Sequence, residues 1–220
     1  MTMLESRRLT KTFQDGTRAF TDVSVCFAAG EMTAIVGPSG SGKSTLLLCL
    51  AGILRVDSGS VLFAGRHLES LSEPDLATLR RGQFGFIFQL GLLVGELSSL
   101  KNVALPLLLR GWPAEVADRE AHTVLSDLGL GDLQNKRPNQ ISVGQAQRVA
   151  VARALVGSPD IIFADEPTGS LDSENGNIVF RALQAAVGAG RTVVLVTHDE
   201  RLAQQADRTY VISDGRLVRP

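Results

Sequence analysis

The 220-residue sequence predicts an α/β fold built around a parallel-rich sheet. Two short runs, Ile161–Ala164 and Thr192–Val196, are almost wholly apolar, which is typical of strands that are covered on both faces. A helix is predicted between them, from Asp172 to about Val187, and a strand, a helix and a second strand in this order form a βαβ unit. A further apolar run, Thr33–Val36, leads through a glycine-rich loop into another helix.

Short strands are predicted on either side of this loop. Leu4–Phe27 consists of alternating pieces broken at Asp15-Gly16, and this pattern favours strands and a hairpin over a helix. Ser60–Phe63 and Phe84–Phe88 are predicted to be two further strands. A short helix that begins after Ser72 is predicted between them.

The middle of the chain is predicted to be helical. The helical pattern extends from Ser98 to Gly129, with interruptions expected at Pro106 and at Gly111–Pro113, because proline and glycine end or break helices. Val143–Val156 is predicted to form the next helix, since a glycine and a proline follow it. Near the end of the chain, Asp214-Gly215 joins two short strands into a predicted hairpin.

Composition and charge narrow the class of protein. The formal net charge of −1 gives no bulk attraction to nucleic acid or to an anionic membrane surface, so no nucleic-acid partner is expected. Cys26 and Cys49 lack metal-ligand spacing and are expected to be small buried residues in a reducing compartment. Met1–Thr10 has no long apolar region, so no secretory signal is expected there, and no apolar stretch is long enough to span a bilayer. We therefore expect a single soluble domain.

The glycine-rich loop has the features of a phosphate-binding loop. It reads Gly-Pro-Ser-Gly-Ser-Gly-Lys-Ser-Thr between an apolar strand and a helix. Its glycines let the backbone approach a ligand, and its N–H groups and the helix dipole converge on a polyphosphate. Lys43 would reach the terminal phosphates and Ser44 would coordinate Mg²⁺; the alternative is an ordinary glycine turn with Lys43 on a solvated face. The predicted binding residues are Gly37, Pro38, Ser39, Gly40, Ser41, Gly42, Lys43, Ser44 and Thr45.

Two carboxylates, Asp165 and Glu166, end the apolar strand that begins at Ile161. Ligands of open α/β sheets bind outside the carboxyl ends of the strands, so both carboxylates are expected at the same edge as the phosphate loop. Asp165 suits Mg²⁺, directly or through water, and Glu166 can polarise the water that attacks the terminal phosphate. The alternative is that they cap the following helix, but a proline-glycine turn follows instead.

His198 follows the next apolar strand at the matching position. Its imidazole could donate a hydrogen bond to the terminal phosphate or hold Glu166 and the water in place. A lone histidine at a strand end is more often structural. His67 and His122 have no comparable neighbours and are expected on the surface. The predicted catalytic residues are Lys43, Glu166 and His198.

Together these segments resemble the nucleotide-binding subunit of ABC transporters over nearly the whole chain. Ile141–Gln145 reads Ile-Ser-Val-Gly-Gln where that family has its signature, Leu-Ser-Gly-Gly-Gln, and Gln147–Leu155 is similar to the family's signature helix. Gln89 matches the glutamine that touches Mg²⁺ and senses the membrane partner, and Ser170–Asp172 resembles the loop that links the two sites of a dimer. Phe13 stands where the family stacks an aromatic ring on adenine. A phosphate loop alone marks many families, whereas this ordered set is highly specific.

This resemblance implies a P-loop NTPase fold with a RecA-like core and parallel-rich sheet, an N-terminal antiparallel β subdomain and an inserted α-helical subdomain. Residues 1–88 and 157–220 would form the ATP-binding core with the β subdomain. Residues 89–156 would form the helical subdomain that carries the signature. Together they would make a single ABC ATPase domain, residues 1–220.

The resemblance also implies that ATP and Mg²⁺ are bound between two copies of the chain. Ser142 begins a helix, so its hydroxyl and the neighbouring N–H groups form a second anion site. One chain cannot easily fold that site onto its own phosphate loop, but two head-to-tail copies can bring the two together. ATP would then hold the homodimer together and hydrolysis would release it. The residues expected at ATP from this part of the chain are Ser142, Gly144, Gln145 and Asp172, and those expected at Mg²⁺ are Ser44, Gln89 and Asp165.

Val143 departs from the family pattern, because it replaces the first glycine of the signature. A β-branched side chain there restricts the backbone and adds bulk near the γ-phosphate. One hypothesis is that Val143 weakens closure of the ATP-bound dimer. The alternative is that its side chain points away while its N–H still donates.

Within the family, the segment Val196–Asp199 and the sequence around Asp165 look most like lipoprotein-releasing and macrolide-exporting ATPases. The resemblance implies an ATP-hydrolysing homodimer that drives a separate integral-membrane permease by mechanotransmission. Such a subunit would be cytoplasmic and peripheral on the inner face of the cell membrane. Three alternatives remain: an ATPase of a cell-division-type complex that controls an extracytoplasmic hydrolase, a soluble non-transport ABC ATPase, and a module that binds nucleotide without hydrolysing it.

Overall fold

A computed structural model describes residues 1–219 of the chain. These residues form eleven strands and seven α-helices. The strands are β1 (Thr2–Thr12), β2 (Arg18–Val23), β3 (Cys26–Ala28), β4 (Met32–Val36), β5 (Ser58–Phe63), β6 (Arg66–His67), β7 (Phe84–Ile87), β8 (Ile161–Asp165), β9 (Thr192–Val196), β10 (Arg208–Ser213) and β11 (Arg216–Arg219). The helices are α1 (Lys43–Leu50), α2 (Glu73–Gln83), α3 (Ser99–Leu109), α4 (Ala114–Asp127), α5 (Val143–Leu155), α6 (Ser173–Gly188) and α7 (Glu200–Ala203).

The larger sheet has six strands in the order β11-β10-β4-β9-β8-β7. Its neighbouring strands are parallel except in the hairpin of β10 and β11. Apolar side chains cover both faces, since Ile161 and Phe163 of β8 belong to one hydrophobic core whereas Ile162 and Ala164 belong to a second. This double burial explains the continuous apolar runs in the sequence. The expected parallel-rich sheet and the βαβ unit β8–α6–β9 are confirmed.

The smaller sheet is antiparallel and contains the N-terminal strands. Its order is β2-β1-β5-β6, and β3 also pairs with β1. Phe20 of β2, Phe27 of β3 and Phe63 of β5 are buried in the first core together with α1 and one face of the larger sheet. The Phe63 ring meets Phe84 of β7 edge-on, with centroids 4.9 Å apart. The N-terminal antiparallel sheet is therefore confirmed as a layer packed on the parallel one.

Helices α3, α4 and α5 pack against one another on the opposite side. Val103 and Leu107 of α3, Leu125 of α4 and Val149 of α5 are fully buried and belong to the second core. Of the helices in residues 1–219, none is long and apolar enough to cross a lipid bilayer. The helical layer expected from the sequence is thus present, with α5 between α3 and β7.

The interruption expected at Pro106 is wrong, because α3 continues through this residue. Proline removes one N–H group and commonly kinks a helix. Here Val103, Ala104 and Leu107 are fully buried around it, so tertiary packing outweighs the local preference. The interruption at Gly111–Pro113 is confirmed, since α3 ends before it and α4 begins after it.

Smaller differences occur at the ends of elements. The strand expected to end at Phe88 ends at Ile87, and no local pattern predicts β6 or α7. The two histidines expected on the surface, His67 and His122, are exposed. Both cysteines are free, but only Cys49 is fully buried as expected, and burial raises the pKa of its thiol to about 12.

Candidate active site

The candidate site lies where four neighbouring strands of the larger sheet end. β4, β9, β8 and β7 are adjacent and parallel, so their carboxyl ends share one edge. The phosphate loop follows β4, Asp165 ends β8, and Gln89 follows β7. His198 follows β9. The fold therefore brings together the predicted residues from four separate parts of the sequence.

The glycines of the phosphate loop meet close backbone neighbours. Gly42 has a φ of +95°, and a Cβ there would collide with the Ala19 carbonyl of β2. A Cβ on Gly37 would collide with the Ile212 carbonyl of β10. The loop is thus held between strands of both sheets, which fixes its shape, and only glycine fits at these two positions.

Lys43 is buried at the start of α1. Its Nζ donates hydrogen bonds to the carbonyls of Gly37 at 2.9 Å and Pro38 at 2.7 Å, so the ammonium lies within the bend of the loop. In the part of the chain that the structure describes, residues 1–219, no side chain caps the N-terminus of α1. The first N–H groups of α1 and the positive end of its dipole therefore face the loop. Together with the positive charge of Lys43, they form an arrangement suited to binding a polyphosphate.

Ser44 and Asp165 meet across the edge of the sheet. The Ser44 hydroxyl donates a hydrogen bond of 2.9 Å to Oδ1 of Asp165. Burial raises the pKa of the Asp165 carboxyl, with a smaller contribution from the negative charge of Glu166, although the Ser44 hydrogen bond and Lys43 act in the opposite direction. A divalent cation beside this carboxylate would offset the cost of its ionised form.

This oxygen pair fits Mg²⁺, which prefers a few protein oxygens completed by phosphate and water. Within residues 1–219 no group of three or more His, Cys, Asp and Glu side chains could hold a metal ion alone. A cation at Ser44 and Asp165 would be completed by water and by oxygens of a bound nucleotide. Gln89 is exposed just beyond β7 on the neighbouring strand.

Glu166 and His198 form a close pair at the same edge. The distance between Nδ1 of His198 and Oε1 of Glu166 is 2.8 Å. The Glu166 side chain is only 12 % exposed, whereas that of His198 is 70 % exposed. Glu166 has a φ of +47°, a rare conformation for a residue with a Cβ, and its N–H donates to the Val196 carbonyl at 2.9 Å. The fold thus holds the backbone of Glu166 in a strained conformation, which is a common property of functional residues.

The signature residues lie at the N-terminus of α5, within the helical layer. Ser142 caps the helix in a reciprocal arrangement: Gln145 N donates to Ser142 Oγ at 3.2 Å, and Ser142 N donates to Gln145 Oε1 at 2.9 Å. A Cβ on Gly144 would lie 3.2 Å from Leu171, so glycine permits close packing there. In the described residues 1–219, no hydrogen bond joins Ser142, Gly144 or Gln145 to the phosphate loop.

Two other predicted residues, Asp172 and Phe13, lie outside the sheet edge and the signature. Asp172 caps α6 and accepts hydrogen bonds of 2.8 Å from the backbone and side-chain nitrogens of Asn175, which lower the pKa of its carboxyl. Phe13 lies in the turn between β1 and β2 and is 41 % exposed, so its ring is open to a planar ligand. The same hairpin contacts the phosphate loop through Ala19.

One residue that contacts the site segments has no role in the sequence prediction. Gln147 of α5 is buried, and its Nε2 lies 3.1 Å from the Phe88 carbonyl and 3.3 Å from the Pro167 carbonyl. The available sequence signal is an amide side chain on the helix face that also carries Ala150, Val151 and Ala154. A polar residue on a buried face requires hydrogen-bond partners.

A model of the ABC transporter family matches residues 20–169 of the chain. The chain belongs to the ABC transporter family. The matched region begins in β2 and ends in the turn after Glu166, so it includes the phosphate loop, Gln89, the signature and both carboxylates. The chain is thus an ATP-binding ABC ATPase, as the sequence predicted.

Curated relatives of this ABC cassette include named macrolide exporters. The macrolide export ATP-binding/permease protein MacB 1/2 of Paracoccus denitrificans is 48 % identical over 201 residues, which cover 91 % of this chain and 30 % of the relative. The macrolide export ATP-binding/permease protein MacB of Psychrobacter arcticus is 42 % identical over 219 residues, covering 98 % of this chain and 33 % of the relative. The chain spans about a third of the length of these relatives.

Solved structures of ABC cassettes have the same fold. The dimeric post-hydrolysis state of the ATP-binding cassette MJ0796, bound to ADP and Pi, has a TM-score of 0.94 at 36 % identity and covers 99 % of this chain and 97 % of its own. CbiO1 of Clostridium perfringens, part of the ABC transporter complex cbiONQ, has a TM-score of 0.86 at 29 % identity and covers 99 % of this chain and 87 % of its own. The predicted fold class is therefore confirmed.

Replacement of Asp165 by Asn tests the electrostatics of this site. The folded pKa of Asp165 lies above that of an unfolded aspartate, so its ionisation opposes folding and the protein loses stability as pH rises through the folded pKa. Asp165→Asn removes this cost, so we expect the nucleotide-free variant to be more stable than the wild type at pH 7. The difference should shrink as pH falls below about 4, where unfolded aspartate is also protonated. Urea unfolding at both pH values measures it.

Asp199→Asn is a control of the opposite sign, because Arg201 lowers the pKa of Asp199. That variant should be less stable than the wild type at pH 7, and its deficit should shrink at low pH. A destabilising effect of Asp165→Asn at pH 7 would contradict the interpretation.

Proposed function

We propose that this chain is the ATP-hydrolysing subunit of a transport complex, in which two copies bind two ATP molecules head to tail and drive a separate membrane permease by mechanotransmission. The observation that carries the proposal is the division of the site. The phosphate loop and the pair Glu166–His198 share one sheet edge, whereas the signature lies at the N-terminus of α5 without a hydrogen bond to that loop within residues 1–219. Such a division makes sense if a second copy completes each site.

Each residue at the sheet edge then has a chemical task. Lys43 and the N–H groups of the phosphate loop bind the β- and γ-phosphates. Ser44, Asp165 and Gln89 would hold Mg²⁺, which neutralises charge that develops on the phosphates when bound. These assignments follow from the oxygen pair at 2.9 Å and from the position of Gln89 beyond the neighbouring strand.

Glu166 is the proposed general base. Its carboxylate accepts a proton from the attacking water, while that water adds in line to the γ-phosphorus and the bond from this phosphorus to the β–γ bridging oxygen breaks, so that ADP and phosphate are the products. The hydrogen bond of 2.8 Å to Nδ1 of His198 orients the carboxylate, and the exposed side of the imidazole can face the terminal phosphate. Because Glu166 is mostly buried, the proton acceptor is held in one place and need not reorganise during the reaction.

The signature helix supplies the other half of each site in this proposal. Ser142 Oγ accepts one hydrogen bond within its own chain, so its O–H can still donate to a phosphate. The N–H groups of Val143 and Gly144 lie in the first turn of α5, where the helix leaves donors unsatisfied. The exposed ring of Phe13 would stack on adenine. The loop that ends at Asp172 packs against the start of α5 through Leu171 and Gly144, so it would lie beside the signature at the dimer interface.

An apolar groove of about 510 Å³ supports the permease as partner. It lies between the sheet edge at β7 and helix α3, and its lining includes Leu92 and Leu109, which are each 59 % exposed. Four arginines line it, namely Arg80, Arg81, Arg110 and Arg153, and of these Arg80 is already ion-paired with Glu73 at 2.7 Å. A short cytoplasmic helix with apolar and acidic side chains would match this lining.

The groove also lies between the two units predicted from the sequence, the core of residues 1–88 and 157–220 and the helical subdomain of residues 89–156. A partner seated there would sense their relative orientation, which depends on ATP in this proposal. The names of the relatives, which join ATP-binding to permease and to macrolide export, support a transport partner. The chain would then be peripheral on the cytoplasmic face of the membrane.

Replacement of Glu166 by Gln tests catalysis and dimerisation together. Without its general base the enzyme should hydrolyse ATP at least about a hundredfold more slowly. ATP binding should persist, so the ATP-bound homodimer should accumulate, as measured by light scattering after size exclusion. Glu174→Gln, an exposed change in the first turn of α6, is the control. Near-normal hydrolysis by Glu166→Gln, or a monomer that hydrolyses ATP at the full rate, would refute the proposal.

Val143 offers a graded test of dimer closure. This residue is 70 % exposed, so a replacement there should leave the fold of its own chain undisturbed, and in the proposed dimer it would face the partner copy. If its bulk hinders closure, Val143→Ala and Val143→Gly should progressively strengthen ATP-dependent dimerisation and raise ATP turnover. Dimer dissociation constants in ATP, measured in the Glu166→Gln background, give the first effect. Equal constants for all three residues would show that the side chain points away from the interface.

Copurification tests the permease. Membrane proteins captured by the tagged wild-type chain should include a permease with a large extracytoplasmic domain. Leu92→Glu should lower its recovery about tenfold or more, because the new carboxylate would repel an acidic partner helix and compete with it for the arginines of the groove. Val218→Glu is the matched control, since Val218 is 58 % exposed but lies on β11 outside the groove. Capture of a wall-hydrolase regulator in place of a transporter would assign the chain to the division-type alternative.

A further inference from the structure

Gln147 connects three parts of the molecule through one buried amide. The residue is on α5 and is only 2 % exposed. Nε2 donates to the Phe88 carbonyl at 3.1 Å and to the Pro167 carbonyl at 3.3 Å. The amide nitrogen has two hydrogens, and each is therefore used on a different loop.

The two carbonyls belong to the segments that carry the chemistry. Phe88 directly precedes Gln89, and Pro167 directly follows Glu166. Pro167 is itself buried, and the strained backbone of Glu166 lies next to it. A displacement of Gln147 would therefore shift the backbone next to Gln89, which is proposed to bind Mg²⁺, and the backbone next to Glu166, which is proposed to activate water.

The packing around Gln147 permits little movement. A Cβ on Gly91 would lie 3.3 Å from Gln147 Oε1 and 3.6 Å from both the Ala146 carbonyl and Ala150 Cβ, so glycine lets the loop after Gln89 rest against α5. Arg153, further along the same helix, donates to the Gly91 carbonyl at 2.7 Å and to the Leu92 carbonyl at 2.9 Å. Helix α5 thus holds this loop at two points.

We propose that Gln147 is a positioning residue for ATP hydrolysis: it transmits the position of the signature helix to Gln89 and Glu166 at once. A rigid-body shift of α5 moves both carbonyls in the same direction, because one planar amide binds them. The inference deepens the proposed function, since it rests on the role of Glu166 as general base. The proposed role of Gln147 does not depend on which substrate or partner the complex has.

The chemistry of the side chain indicates which replacements are informative. Methionine has nearly the same length and volume but no donor, so both carbonyls lose their partner. Glutamate keeps the shape and, when ionised, offers only acceptors to two carbonyl oxygens. Asparagine keeps the amide but is one methylene shorter, so it can reach one carbonyl at most.

The experiment compares Gln147→Met, Gln147→Glu and Gln147→Asn with the wild-type chain in steady-state ATP hydrolysis. Rates are divided by the fraction of molecules that bind a fluorescent ATP analogue, so partly unfolded protein does not lower the apparent kcat. A misplacement of catalytic groups by about 1 Å can cost up to about a hundredfold in rate, so we expect kcat to fall about tenfold or more in all three variants. The KM for ATP should stay within about twofold, because Lys43 and the phosphate loop are untouched.

Asn102→Ala is the matched control. Asn102 is also a fully buried amide in the helical layer, and it holds the loop 94–98 through Val94, Leu97 and Ser98. Its loss should lower thermal stability, as is also expected of the Gln147 variants, but it should leave kcat per nucleotide-binding molecule near the wild-type value. This comparison separates positioning from a general loss of packing.

Three outcomes decide the matter. A tenfold or larger fall of kcat in the Gln147 variants that fold, with the control near wild type, supports the proposal. Wild-type kcat in any folded Gln147 variant overturns it, provided that Glu166→Gln is inactive in the same assay. If Glu166→Gln is itself active, the proposed catalytic role fails, and that result is distinct from a failure at Gln147.

Discussion

The parallel pairing of β4, β9, β8 and β7 is the constraint on which the rest of the structure depends. Parallel strands all end at the same edge, so residues far apart in sequence meet there. The strand register is fixed because both faces of these strands are buried, and a shift by one residue would exchange the two apolar cores. The positions of Asp165 and Glu166 are thus consequences of core packing.

The two cores also separate two duties of the chain. One joins the antiparallel sheet and α1 to the parallel sheet, and it supports the phosphate loop. The other joins the sheet to α3, α4, α5 and α6, and it supports the signature. Between these regions the polar contacts of Gln147 and Arg153 connect α5 with the loop after β7. Apolar packing provides stability, and a small number of directional bonds fixes the relative position of the site segments.

Much of this arrangement could be predicted from the sequence because its signals are local. The phosphate loop, the apolar strand before Asp165 and the cap at Ser142 each lie within a few residues, and the structure has the elements they predict. The contacts that the sequence did not predict depend on residues distant in the chain. Pro106 remains helical because buried neighbours hold it, and Gln147 finds its two carbonyls only after α5 packs beside β7 and β8. Single-chain periodicity contains no information on such partners.

The left-handed backbone at Glu166 has a consequence for how this protein can change. Glycine or asparagine would adopt a φ of +47° more easily than glutamate, and either would remove a carboxylate from the crowded edge beside Asp165. Selection for thermal resistance alone would therefore favour loss of the proposed base. Retention of glutamate at position 166 therefore indicates selection for ATP turnover. In laboratory evolution for heat tolerance, position 166 is the first at which loss of activity should be checked.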